Sequence, residues 1–127
     1  MEEYILKTIS LNKSYNGKDV LNNLNMTIKR GDIYGLIGRN GAGKTTLMRL
    51  ITGLANVSSG SIEIFNVGDD KHITSEIKRI GALIEMPAFY ADMTAADNME
   101  LVRLQKGIPG KVCIKEKLEF VYLHLIK

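Results

Sequence analysis

The stretch GRNGAGKTT, residues 38 to 46, determines how the rest of this sequence is interpreted. It contains a glycine, four residues and then Gly43-Lys44-Thr45, which matches the G-x-x-x-x-G-K-[ST] pattern of a phosphate-binding loop. Its glycines allow the backbone to curl so that several N–H groups face one anion. A helix predicted to begin near Lys44 adds the positive end of its dipole. Lys44 supplies a full positive charge, and the Thr45 hydroxyl is a hard oxygen ligand of the kind that Mg²⁺ prefers.

The segments around the loop predict an α/β fold. Residues 33–37 and 80–84 are nearly continuous apolar runs, which are typical of strands covered on both faces in a parallel sheet. Apolar and polar residues alternate from 23 to 29, which predicts a half-buried strand. We expect that strand to pair with residues 4–11 across the Asn16-Gly17 turn. A further short strand is predicted at residues 61–65.

Helices are predicted where apolar residues follow a period of three to four. Leu47, Leu50, Ile51 and Leu54 lie on one helical face, and Gly53 is placed to end that helix. Residues 73–79 favour a short helix. Thr94, with an acid three residues later, predicts the N-cap of a helix that runs to about residue 106. A last apolar helical stripe spans residues 114–125.

Composition bounds the class of protein. The chain has 127 residues, 45% of them hydrophobic, which suits one domain with a buried core. The formal net charge of +3 gives no case for binding nucleic acid, which requires a clustered basic face. The single cysteine, Cys113, excludes an internal disulfide. No apolar run approaches the length needed to cross a membrane, so direct membrane insertion is not expected.

Beyond the loop itself, the sequence resembles the ATP-binding subunits of ABC transporters. The resemblance is carried by GRNGAGKTT, by TLMRLITGL at residues 46–54 and by SSGSIEIF at residues 58–65. Residues 80–99, IGALIEMPAFYADMTAADNM, are most similar to the branch that exports bacitracin or lantibiotics. The resemblance implies a P-loop NTPase fold of the ABC type, with an antiparallel β subdomain and a partial parallel-sheet core flanked by helices. Residues 1–127 would form the N-terminal part of one ATP-binding domain. Of these, about 1–84 would be the nucleotide-binding core, and about 85–127 the Q-loop region and the start of the helical subdomain.

The same resemblance implies ATP and Mg²⁺ as cofactors. It assigns nucleotide binding to Tyr15, Gly38, Asn40, Gly41, Ala42, Gly43, Lys44, Thr45 and Thr46. Tyr15 would stack on adenine, because a base and an aromatic ring attract one another face to face; the alternative is an aromatic ring that only packs between strands. Glu85 stands where the family usually has the Q-loop glutamine, and with Thr45 it would bind Mg²⁺. The alternative for Glu85 is a solvated loop acid.

Partners are also implied by the resemblance. The segment from Met86 to Met93 would contact a transmembrane permease subunit, and the alternative is that it packs internally. The full-length protein would pair with a second ATP-binding subunit. It would be cytoplasmic and associate peripherally with the membrane through the permease.

Motifs that the family uses for catalysis do not occur in this sequence. There is no LSGGQ-like signature, and no apolar strand ends in an Asp-Glu pair. We therefore expect a C-terminally incomplete domain that has no catalytic residues of its own. A full-length relative would be an ATPase that powers transport, whereas this chain is expected to bind ATP without appreciable hydrolysis.

Two other functions remain open from the residues alone. One is another small P-loop NTPase, although small kinases open with the loop and GTPases require an N-K-x-D motif that does not follow it here. The other is an interaction module that does not bind nucleotide. Titration with ATP distinguishes that module from the ATP-binding subunit.

Overall fold

An antiparallel hairpin begins the fold. The structure, a computed structural model, describes residues 4–69, 71–86 and 89–125. Strand β1 (Tyr4–Tyr15) and strand β2 (Lys18–Lys29) are joined by Asn16 and Gly17, whose φ angles are 50° and 76°. Positive φ at both turn residues matches the twist of the two strands, and the Asn-Gly pair tolerates it. The pairing predicted from the sequence is confirmed, with both strands longer than expected.

Strand β3 (Ser59–Ile64) completes a three-stranded antiparallel sheet in the order β2-β1-β3. Gly60 lies so close to β1 that a Cβ atom there would be 2.2 Å from the carbonyl oxygen of Ser10. Its φ angle of 84° is also in the left-handed region. Glycine at this position therefore lets β3 approach β1 closely enough to pair.

Helix α1 (Lys44–Ile51) supplies the other layer of the core. Leu47 and Leu50 are buried on its apolar face, as the sequence predicts, whereas Leu54 lies beyond the helix end and is exposed. Gly53, with φ of 71°, accompanies the turn that stops the helix, in which the Leu54 N–H donates to the Arg49 carbonyl at 2.8 Å. The core combines these leucines with residues of the sheet, namely Leu6, Leu11, Leu21, Met26, Ile62 and Ile64.

The prediction of two buried parallel strands at residues 33–37 and 80–84 is wrong. Both segments are irregular, and no strand of the described ranges pairs with either of them. Ile33 and Ile37 are fully exposed, and Leu83 is also exposed. An apolar run indicates a preference for burial, but a strand forms only where a neighbouring strand exchanges backbone hydrogen bonds with it. The partial parallel sheet is thus not formed by these residues.

Contacts divide the chain into two units, Met1–Met86 and Pro87–Lys127. The first contains the sheet, α1 and the short helix α2 (Ile73–Ile77). The second contains helix α3 (Ala95–Lys106) and helix α4 (Val112–Leu125). The predicted N-cap is confirmed, because the Thr94 hydroxyl accepts the Asp97 N–H at 3.2 Å.

Ion pairs and hydrogen bonds of Glu100, Arg103 and Lys111 join the end of α3 to the turn that precedes α4. Arg103 donates from Nε and Nη2 to the two carboxylate oxygens of Glu100, at 2.7 and 2.9 Å, and also donates to the Ile108 carbonyl. Lys111 lies 3.4 Å from the same carboxylate. The hydrogen bonds from Arg103 lower the pKa of Glu100 to about 2. The carboxylate is therefore ionised at neutral pH, where it pairs with Arg103 and Lys111.

Within the described ranges, none of the helices is both long enough and apolar enough to cross a bilayer.

Thr8 offers a direct test of how the hairpin is held. Its side chain is buried, donates to the Leu24 carbonyl and accepts the Met26 N–H, both at 3.0 Å. Replacement by valine keeps the shape of the side chain but removes the hydroxyl, which leaves the Leu24 carbonyl and the Met26 N–H without this partner. Because a buried group left without a partner costs about 1–3 kcal/mol, we expect Thr8→Val to lower the free energy of unfolding by about that amount in urea denaturation. Thr8→Ser, which keeps the hydroxyl, should lose less, and equal losses in the two variants would contradict this role.

Candidate functional site

The phosphate-loop residues form the entrance to α1. Gly41 and Gly43 have φ angles of 83° and 88°, and Gly43 is the N-cap of the helix with no side chain to occupy that end. The first hydrogen bond of the helix runs from the Leu47 N–H to the Gly43 carbonyl at 2.8 Å. The N–H groups of Lys44, Thr45 and Thr46 therefore precede the helical ladder and have no acceptor within the helix. Together with the helix dipole, they make this end a site for an anion.

These residues line a cavity of about 350 Å³. Its walls are Val20, Asn40, Gly41, Ala42, Gly43, Lys44, Thr45 and Thr46. Every phosphate-loop residue singled out from the sequence lies here except Gly38, which contributes its carbonyl oxygen to Lys44. Val20 is not predictable as a site residue from the sequence, since it lies in β2, well before the loop, and belongs to no motif.

Lys44 crosses the loop. Its ammonium donates to the carbonyl oxygens of Gly38 and of Arg39, the latter at 2.8 Å. The positive charge is thus held by two neutral carbonyl acceptors of the same loop. A phosphate oxygen could replace them with a stronger, charge-assisted hydrogen bond.

Gly43 is also where α1 docks on the sheet. A Cβ atom there would lie 2.7 Å from Leu21 Cδ2 and 2.8 Å from the Val20 carbonyl oxygen. The pairing of β1 and β2 shifts at this level, from Lys13 opposite Leu21 to Ser14 opposite Asp19, so Val20 is an extra residue in β2. A bulge of this kind bends a strand and redirects its groups. Here the bulged residue lies against the N-terminus of α1.

Tyr15 lies at the end of β1, opposite Lys18, and 45% of it is exposed. Lys18 precedes Val20 by two residues, a distance of about 7 Å along a strand. The Lys13 ammonium lies 4.6 Å from the centroid of the Tyr15 ring. Nearly half of Tyr15 is thus exposed to solvent, and it lies at the same end of the hairpin as Val20 in the cavity wall.

Glu85 is held by an ion pair. Its carboxylate lies 3.3 Å from Arg49 Nη2, and its own φ angle is 64°. Arg49 is in the last turn of α1, one turn after Thr45. The structure thus places the Glu85 carboxylate beside the last turn of α1, where it pairs with a cation. Among the described residues, no three His, Cys, Asp or Glu side chains cluster as a metal site.

The segment proposed to contact a partner is exposed where it is described. Met86, Phe89, Tyr90 and Met93 all have exposed side chains, and residues 87 and 88 lie outside the described residues. Asn98 fixes the backbone that follows, since its side chain accepts the Tyr90 N–H at 2.7 Å and donates to the Tyr90 carbonyl at 3.0 Å.

Comparison with known proteins identifies the family. The family model described as "ABC transporter" matches residues 21–124, which include the phosphate loop and all four helices but for the last residue of α4. The chain belongs to the ABC transporter family. The resemblance inferred from the sequence is thereby confirmed, and a small kinase or GTPase is set aside.

Individual relatives agree with this result. The bacitracin transport ATP-binding protein BcrA of Bacillus licheniformis is 44% identical over 119 residues, which are 94% of this chain and 39% of the relative. The lantibiotic transport ATP-binding protein SrtF of Streptococcus pyogenes is 43% identical over 104 residues, which are 82% of this chain and 44% of that protein. This chain therefore spans less than half the length of these curated relatives.

A solved structure shows the fold. The dimeric post-hydrolysis structure of the ATP-binding cassette MJ0796, bound to ADP and Pi, matches with a TM-score of 0.75 and 27% identity. The match covers 91% of this chain and 55% of the cassette. The ABC-type P-loop NTPase fold is thus confirmed, including its antiparallel sheet.

The contact at Gly43 predicts a difference between two glycines of the same loop. Alanine at either Gly41 or Gly43 meets a positive φ, which is strained for a side chain. Only at Gly43 does the new Cβ also overlap β2, because the space around Gly41 is open. Since overpacking typically costs about 1–3 kcal/mol, we expect Gly43→Ala to lower the melting temperature of the ligand-free chain by several degrees more than Gly41→Ala. Equal shifts would show that the loop does not depend on this contact.

Proposed function

We propose that this chain binds Mg-ATP through its phosphate loop and serves as the ATP-binding part of an ABC transporter subunit. The observation that carries the proposal is the cavity at the N-terminus of α1, which is lined by Lys44, Thr45 and Thr46, whose N–H groups have no acceptor within the helix. The loop glycines place no side chains in this cavity, and Lys44 gives the loop a positive charge. A polyphosphate fits both properties.

Each residue of the loop has a distinct part in the proposal. The N–H groups of residues 44–46 and the Lys44 ammonium would bind phosphate oxygens. The Thr45 hydroxyl would hold Mg²⁺, which neutralises charge on the phosphates during transfer. Glu85 is the second proposed ligand, and it would have to leave Arg49 for that role. Tyr15 would offer its exposed ring to the adenine.

The division of the chain is part of the same proposal. Residues from about 1 to 84 would form the nucleotide-binding core, and residues from about 85 to 127 the Q-loop region and the start of the helical subdomain. The observed units, Met1–Met86 and Pro87–Lys127, support that boundary.

Partners follow from the relatives and from the exposed segment. BcrA and SrtF are named for bacitracin and lantibiotic transport, which supports export of a peptide antibiotic. The segment from Met86 to Met93, in which Met86, Phe89, Tyr90 and Met93 have exposed side chains, would contact a transmembrane permease subunit at the cytoplasmic face of the membrane. A second ATP-binding subunit would complete the transporter, as the dimeric cassette MJ0796 suggests.

ATP binding is tested at Lys44. Charge-assisted hydrogen bonds contribute about 1.5–3 kcal/mol each, so Lys44→Ala should weaken ATP binding roughly ten- to hundredfold by calorimetric titration. Lys71→Ala, which removes an exposed lysine from the loop before α2, is the matched control and should bind normally. Unchanged affinity in Lys44→Ala would overturn the proposal and favour an interaction module that does not bind nucleotide.

Hydrolysis is expected to be negligible in this chain. Phosphoryl transfer requires several groups to position water and stabilise charge at once, and the sequence lacks both the signature motif and the acid pair. A positioned general base contributes roughly 10²–10⁴ in rate. We therefore expect phosphate release from Mg-ATP to equal that of Lys44→Ala. Turnover well above that control, and abolished by Glu85→Ala, would show that Glu85 acts as the base.

A further inference from the structure

Lys13 links the Tyr15 ring to the loop that follows α1. Its ammonium lies 4.6 Å from the ring centroid and donates to the Asn56 carbonyl oxygen at 2.7 Å. Asn56 lies five residues after the end of α1 at Ile51. One side chain therefore contacts both the aromatic ring and the segment continuous with the helix whose N-terminus forms the anion cavity.

Two further bonds hold β1 to the same loop. The Ser14 N–H donates to the Ser58 hydroxyl at 3.1 Å, and the Ser58 N–H donates to the Asn12 carbonyl at 3.1 Å. Lys13 is half-buried between these attachments. Its position is thus determined by the loop, and not only by attraction to the ring.

We propose that Lys13 is a positioning residue that orients the Tyr15 ring for stacking on the purine base of the nucleotide. The inference rests on the proposed function, since it assumes that a nucleotide occupies the cavity. Lys13 covers one face of the ring, and the exposed part of Tyr15 remains available to the base. A ring held in place by a cation loses less side-chain entropy on binding than one that rotates freely.

A base-free ligand separates positioning from direct binding. Inorganic tripolyphosphate occupies a phosphate site but has no ring to stack. A lysine that bound phosphate directly would affect tripolyphosphate and ATP alike. A lysine that acts through Tyr15 affects ATP alone.

The chain contains a matched control for the same chemistry. Lys7, also on β1, lies 5.4 Å from the ring centroid of Tyr4, whose hydroxyl donates to Glu63 at 2.5 Å. Lys7→Met therefore removes a lysine from above a tyrosine ring on the same strand but away from the cavity wall.

The experiment measures both ligands by calorimetry on the full chain. Cation–π contacts at exposed sites are worth enough to change affinity by roughly two- to fivefold. We expect Lys13→Met to weaken ATP by that factor and to leave tripolyphosphate unchanged. Lys13→Arg should restore ATP binding, and Lys7→Met should match the unmodified chain. A loss shared equally by the two ligands, or no loss, overturns the inference.

A double-mutant cycle tests whether the effect passes through the ring. In the Tyr15→Ala background, Lys13→Met should weaken ATP no further; additive losses overturn the inference. In the ligand-free chain, NMR of ¹³C-labelled tyrosine should show the Tyr15 ring signals shift in Lys13→Met, and unmoved signals contradict the contact. If Lys44→Ala still binds tripolyphosphate with unchanged affinity, the proposed function is refuted. If Lys44→Ala loses affinity as expected but Lys13→Met binds ATP as tightly as the unmodified chain, only this inference is refuted.

Discussion

The close contact between Gly43 and β2 is the constraint on which the rest of the site depends. With no side chain at Gly43, the N-terminus of α1 reaches the Val20 carbonyl and the Leu21 side chain. The helix end that carries the orphan N–H groups is thereby held against the rigid sheet. Leu21 is also part of the buried core, so the same residue anchors both the hydrophobic packing and the phosphate loop.

The pairing of β1 and β2 is irregular, and the bulge at Val20 lies where Gly43 contacts β2. Its register shifts at several places, and polar side chains replace the ladder bonds that the shifts remove. Thr8 bridges two backbone groups of β2, the Asn25 side chain accepts the Ser10 N–H at 2.8 Å, and the Asn12 side chain accepts the Asn23 N–H at 2.8 Å. Because these bonds give partners to backbone groups between the shifted pairs, the two strands stay joined from Thr8 to Lys13 although their register is irregular there.

Prediction from the sequence succeeded where the signal was local. The Asn16-Gly17 turn, the burial of Leu47 and Leu50 on α1 and the Thr94 cap each involve residues only a few positions apart, and the structure confirms all three. It failed for residues 33–37 and 80–84, since apolar character does not specify a pairing partner. It also could not find Val20 or Lys13, which belong to no motif and reach the site through the hairpin.

The sequence by itself determined the chemistry of the loop: the glycines that accept positive φ, the charge of Lys44 and the hydroxyl of Thr45 all follow from residue identity at fixed spacing. Only the tertiary structure decided what surrounds that loop. Glu85 meets Arg49 across 36 positions of chain, and Lys13 meets Asn56 across 43. Contacts at such separations depend on how the chain closes its long loops, because the packing of the sheet and α1 brings those residues together and no local propensity encodes it.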